Sequence, residues 1–188
     1  MTASDTSGHA ASGPVEDRWG APRSRTVTWQ DPLASAAAGA AMSGLETMRA
    51  LAAGEIPPPP ISALMRMSVA TVERGTVVFQ CEPDESHYNP IGIVHGGLVC
   101  TLLDSVVGCA VHTTLDRGIG YTSLELKVSY LAAVHAHSGT LTATGRVVKP
   151  GRRVAFAEGD VRDAGGTVVA TATSTLLIFP LPTPAQVS

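Results

Sequence analysis

Between positions 89 and 104 the chain reads Asn-Pro-Ile-Gly-Ile-Val-His-Gly-Gly-Leu-Val-Cys-Thr-Leu-Leu-Asp, and Asn89, His95, Gly96, Gly97 and Asp104 are the residues in it that could do chemistry. Gly96 and Gly97 stand where an apolar run begins, and the first N–H groups of a helix have no partner within it. With no side chain in the way, such a group and the positive end of the helix dipole can hold an oxygen that gains negative charge during a reaction. Asp104 follows two turns later as the one ionisable residue of the run, where a buried carboxylate needs a partner or a task. A bare donor followed by an acid makes half of a hydrolytic site.

The spacing also predicts the elements that hold these residues. Asn89 to Gly97 is a loop punctuated by Pro90 and Gly92. Leu98 to Val111 is predicted as a helix, because Leu98, Leu102, Val106 and Ala110 recur every four positions with Val99, Leu103 and Val107 beside them. It is apolar nearly all round, so it is expected in a core.

Residues 1–30 are rich in Ser, Gly, Thr, Ala and charge and read as a flexible tail. Asp31 then Pro32 supplies an N-cap and a first helical residue. The helix they open is expected to run from Leu33 to Ala53, with Met42, Leu45, Met48 and Leu51 as a narrow apolar stripe. Gly54 closes it, and Pro57 to Pro60 form a stiff connector. This unit, residues 31–60, is expected across the domain edge or over a ligand entrance.

From Ile61 the pattern is that of strands. Ile61 to Val72 and Thr76 to Cys81 flank a turn at Glu73-Arg74-Gly75. After the helix come four strands, near 121–131, 139–148, 153–162 and 167–179, with turns at Lys149-Pro150-Gly151 and at 163–166. In the last strand Val168, Ala170, Ala172, Ser174, Leu176 and Ile178 alternate with a Thr-rich set, as in a sheet covered on one side. The class is α+β: an antiparallel sheet wrapped around a central helix over residues 61–180, with 181–188 as a C-terminal tail.

Composition narrows the partners. A chain of 188 residues supports one ordinary domain with an appendage. A net charge of −3 gives no basic footprint, which argues against nucleic acid. Cys81, Cys100 and Cys109 form no C-x-x-C pair and fit a reducing compartment, with Cys100 and Cys109 expected as small core residues. Neither a signal-peptide pattern nor an apolar run of spanning length is present, so a cytoplasmic protein without membrane contact is expected.

The element order and the Asn-x5-His-Gly-Gly-x6-Asp string resemble the hotdog-fold acyl-CoA thioesterases of the phenylacetate-degradation (PaaI-like) type. The segments Tyr121 to Leu131 and Gly145 to Glu158 resemble that family's later strands, so the likeness covers about residues 61–180. It implies hydrolysis of a coenzyme A thioester without metal or other cofactor, by a homodimer or a dimer of dimers. It makes Asp104 the catalytic carboxylate, as general base or nucleophile, and Gly96 the N–H that binds the thioester oxygen. Asn89 is then the polar residue beside that oxygen, and Ser123, with Thr122 next to it, the hydroxyl near the attacking water. His95 and Gly97 complete the motif at the substrate, His95 more as loop structure than as a proton carrier.

Spacing adds an argument about assembly. Gly96 and Asp104 are eight residues apart, about 12 Å along a helix, whereas a general base must come within about 3 Å of its proton or act through one water. The site closes if Asp104 of one chain faces Gly96 of another across a two-fold axis. Lys149, Arg152 and Arg153 form a tight basic cluster suited to coenzyme A phosphates. His135 and His137 read as surface histidines, and Glu125 and Glu158 as partners of Arg or Lys across the sheet. Two other readings share the fold: a non-catalytic acyl-CoA-binding module, for which Asp104 would be idle, and an enoyl-CoA hydratase, which uses a His–acid pair in a different motif. Aryl and short- or medium-chain acyl groups are equally compatible with the chain.

Overall fold

The computed structural model describes residues 19–181. Asp31 accepts from Leu33 N and Pro32 takes the first position of α1 (Pro32–Ala40), as the Asp-Pro pair dictates. The expected single helix is broken, however. Ser43 and Glu46 cap each other in a reciprocal box, which starts a second helix, α2 (Gly44–Ala53), ended by Gly54 in the left-handed region. The capping box competes with continuation of α1 and wins. A second difference follows the prolines: residues 60–65 are not strand but a short helix, α3 (Pro60–Met65), opened by Pro60 and stopped by Arg66 at φ 51°.

The strands follow as β1 (Met67–Glu73), β2 (Thr76–Cys81), β3 (Ile119–Tyr130), β4 (Leu141–Lys149), β5 (Val154–Arg162) and β6 (Val168–Pro180), with the long helix α4 (Gly96–His112) between β2 and β3. They make one antiparallel sheet in the order β1-β2-β4-β5-β6-β3. Chain order and sheet order part at α4: the crossover carries β3 to the far edge, so the helix lies across the sheet face.

Leu98, Val99, Leu102, Leu103, Val106, Val107, Ala110 and Val111 of α4 are buried. They meet Leu141 and Ala143 of β4, Ala155 and Val161 of β5, and Ala170 and Leu176 of β6. Helix and sheet come into backbone contact at Gly145, which pairs with Gly159 across β4 and β5. A Cβ on Gly145 would lie 2.2 Å from the Val106 carbonyl oxygen, so no side chain fits there.

β3 changes phase. Its pairing with β6 slips between Ser123 and Glu125, a bulge at Leu124. Tyr121 and Ser123 before the slip, and Leu126, Val128 and Tyr130 after it, therefore all lie opposite buried residues of β6. The sheet's outer face corrects one expectation. Glu125 and Glu158 are exposed and make no ion pair among the described residues; Arg146, opposite Glu158, bridges Asp160 at 2.9 Å instead. Of the expected tail, residues 1–18 lie outside the described part, while Arg23 and Arg25 bond Glu85 and Asp84. Of the expected C-terminal tail only Leu181 is described.

Candidate active site

His95 is the N-cap of α4, its Nδ1 accepting from Gly97 N at 2.8 Å and its carbonyl from Leu98 N. Gly97 N–H is thereby occupied. Gly96 N–H, one residue earlier, donates to nothing among the described residues. It opens into a cavity of about 370 Å3 lined by Asn89, Gly96, Val99 and Tyr130. Asn89 Oδ1 accepts from Ile91 N and Ile93 N, which fixes the turn and leaves its Nδ2 as a further donor. Tyr130 lies over the glycine: its hydroxyl donates to Gly96 O at 3.0 Å, and burial, with Cys100 nearby, raises its phenol above the usual range.

Asp104 belongs to a different cavity, of about 490 Å3. The expectation of a buried carboxylate does not hold within one chain. Asp104 is exposed, on the side of α4 that the sheet leaves open, together with Gly97, Cys100, Thr101, Ser105 and Cys109, which are half-buried. Its partner is Ser123, whose hydroxyl donates to Asp104 Oδ1 at 2.8 Å. The walls are mainly apolar: Met48 and Leu51 from α2, Pro58 and Pro59 from the connector, Met67 from β1 and Phe79 from β2. Cys109 faces this cavity too, but burial, with the Asp104 charge adding to it, pushes its thiol up to about 12 despite a hydrogen bond with Tyr121. It stays a neutral thiol and a poor nucleophile.

The structure thus joins Asn89 with Gly96, and Ser123 with Asp104, in two separate places. Thr122, beside Ser123 in sequence, sits opposite Leu177 on the outer face of β3, away from both. Lys149, Arg152 and Arg153 are exposed on the β4–β5 turn and line neither cavity. His135 and His137 stack with ring centroids 4.8 Å apart, and no cluster of three or more His, Cys, Asp or Glu able to hold a metal occurs among the described residues. No helix there is long and apolar enough to cross a membrane. Tyr130 and Tyr121 were not legible as residues that line the two cavities, because the Leu124 bulge hides the phase that puts both on the same side of β3.

Residues 91–170 match the profile of the Thioesterase superfamily. Human acyl-coenzyme A thioesterase 13 is 29% identical over 108 residues, 57% of this chain and 76% of that protein. Among solved structures, a phenylacetic acid degradation-related protein of Ralstonia eutropha superposes with a TM-score of 0.64 at 29% identity, covering 69% of this chain and 98% of that one. The PaaI protein of Escherichia coli gives the same TM-score at 17% identity, covering 74% and 100%, and so shares the fold. With the His-Gly-Gly helix start and the helix-across-sheet topology already in place, the chain has the hotdog fold with a Thioesterase superfamily match over residues 91–170, is similar to the PaaI-like thioesterases, and is a thioester hydrolase.

Proposed function

We propose that the chain hydrolyses the thioester of an aryl- or short- to medium-chain acyl-CoA, as a homodimer whose sites each combine Asp104 of one copy with Gly96 of the other. The observation that carries this reading is the Ser123–Asp104 hydrogen bond at the mouth of a mainly apolar cavity. Ser123 fixes one carboxylate oxygen and leaves the second free to act, while the apolar walls suit an acyl group.

In the base route, Asp104 takes a proton from water, whose oxygen attacks the thioester carbon. The negative oxygen that forms is held by Gly96 N–H, with Asn89 Nδ2 beside it. Collapse expels the coenzyme A thiolate, which recovers the proton from Asp104. In the nucleophilic route the carboxylate attacks the thioester carbon directly and expels the coenzyme A thiolate, and water then cleaves the resulting anhydride to give the free acid and return the carboxylate. Both routes use the same residues. Lys149, Arg152 and Arg153 remain the proposed contacts for coenzyme A phosphates, which need exposed cations.

Free-thiol release from a panel of aryl- and alkanoyl-CoAs tests the reading. Asp104→Asn keeps the shape of the side chain and is expected to lower turnover by about 10²–10⁴ at unchanged melting temperature. A folded variant with wild-type turnover would remove Asp104 from the chemistry. Binding without turnover in both proteins would point to an acyl-CoA-binding module.

A further inference from the structure

The Asp104 cavity is not a closed pocket in the fold. Behind it lies a second, mainly apolar cavity of about 350 Å3, walled by Pro32, Ala36 and Gly39 of α1 and by His112 and Leu181. Three residues line both spaces: Leu51 of α2, Pro59 of the connector and Tyr121 of β3. They form the partition between them. None carries a charge.

Tyr121 is held in that partition from several sides. Its ring lies so close to α4 that a Cβ on Gly108 would be 2.8 Å from it. Its hydroxyl meets Cys109, and its ring stands 5.5 Å from that of His112, tilted by 47°. The opposite wall is equally fixed, since α2 is capped at both ends and Pro57–Pro59 is a stiff run that leads into α3. Helix α1 buries none of its own residues, yet its small residues Ser35, Ala36, Gly39 and Ala40 border the second space. All these N-terminal walls precede residue 91, where the family profile begins. They lie outside the residues that the profile matches.

We propose that residues 32–59 and Tyr121 measure the acyl group: the acyl chain enters beside Asp104 and ends at the Leu51–Pro59–Tyr121 partition, and the second cavity admits longer chains only when that partition is opened. This rests on the thioesterase reading above. Two apolar spaces in succession suit an unbranched alkyl chain, since each methylene that leaves water for such walls is worth about a fourfold gain in binding.

The test is kcat/KM across a ladder of straight-chain acyl-CoAs. Wild type is expected to gain with length up to a limit and then fall. Tyr121→Ala is expected to move the optimum several carbons longer and to raise kcat/KM on the longest substrates by roughly tenfold or more, the worth of two or more newly buried methylenes. Leu51→Ala opens the same partition from α2 and decides the matter if the tyrosine variant does not fold. Adding Ala36→Phe to either opened variant fills the second cavity and is expected to restore the shorter optimum. An unchanged length profile in the folded opened variants, or an equal loss at every length, would overturn the proposal while leaving the thioesterase reading intact. Failure of wild type to release thiol from any substrate would overturn both.

Discussion

At Gly96 a bare amide and a crowded α-carbon occupy the same residue. The N–H is free for a ligand, while a Cβ would lie 3.1 Å from the Tyr130 ring. The two properties can be separated. Proline is tolerated at the first position of a helix, and His95 at φ −62°, ψ 133° already has the backbone that precedes proline well. Gly96→Pro should therefore keep α4 but remove the donor, whereas Gly96→Ala adds the same Cβ beside Tyr130 and keeps the donor. We expect Gly96→Pro to lose about 10²–10³ in kcat and Gly96→Ala much less, both near the wild-type melting temperature. Equal rates in the two variants, measured by thiol release, would mean that the amide does not hold the oxyanion. This part of the candidate site was legible because the chemistry proposed for it is written in residue type: two glycines at a helix start, a polar residue in the preceding loop, one acid in an apolar run. The tyrosines were not, since strict alternation along β3 puts Tyr130 on the outer face with Thr122, and only the unpaired residue at Leu124 reverses it.

The same limit operates on whole elements. The central helix and the late strands are long and strongly patterned, so their periods outweigh local noise, and they appear within a few residues of where the sequence places them. The N-terminal elements are short, and there single caps decide. Ser43 with Glu46 splits one expected helix into α1 and α2, and Pro60 turns an expected strand start into α3. Neither signal changes the apolar stripe, which is why the stripe alone misled. What fixes the helix on the sheet is a contact that has no hydrophobic pattern at all, the Gly145–Gly159 pair under Val106 and Val107. Because the nearest atom to a Cβ on Gly145 is a backbone oxygen at 2.2 Å, relief requires α4 to move rather than a side chain to turn. Gly145→Ala is expected to destabilise the fold by about 1–3 kcal/mol, read as a drop of roughly 2–10 °C in melting temperature. Full stability in that variant would show that α4 can shift without cost.

At the scale of the molecule, two adjoining surfaces of the single chain lack a partner among the described residues. Among the described residues β3 pairs only with β6 and presents the outer edge of a 12-residue strand, the kind of edge that another chain can extend. Next to it lies the open side of α4 with Gly97, Thr101 and Asp104. Within one chain Gly96 and Asp104 line different cavities, so the proposed site would be completed by a second copy, and two-fold symmetry would supply two such sites. A mixing experiment separates this from a site made by one chain. Asp104→Asn and Gly96→Pro are each expected to be nearly inactive alone. In a heterodimer of the two, one site combines the intact Gly96 of the first chain with the intact Asp104 of the second, and the other site carries both lesions. Random exchange at equal amounts makes half of the dimers mixed, each with one working site, so about a quarter of wild-type activity should return. Recovery to that level, appearing as subunits exchange, would establish that catalysis crosses the interface. No recovery, with mixed dimers demonstrated by differential tagging, would place the donor and the acid of each working site on the same chain.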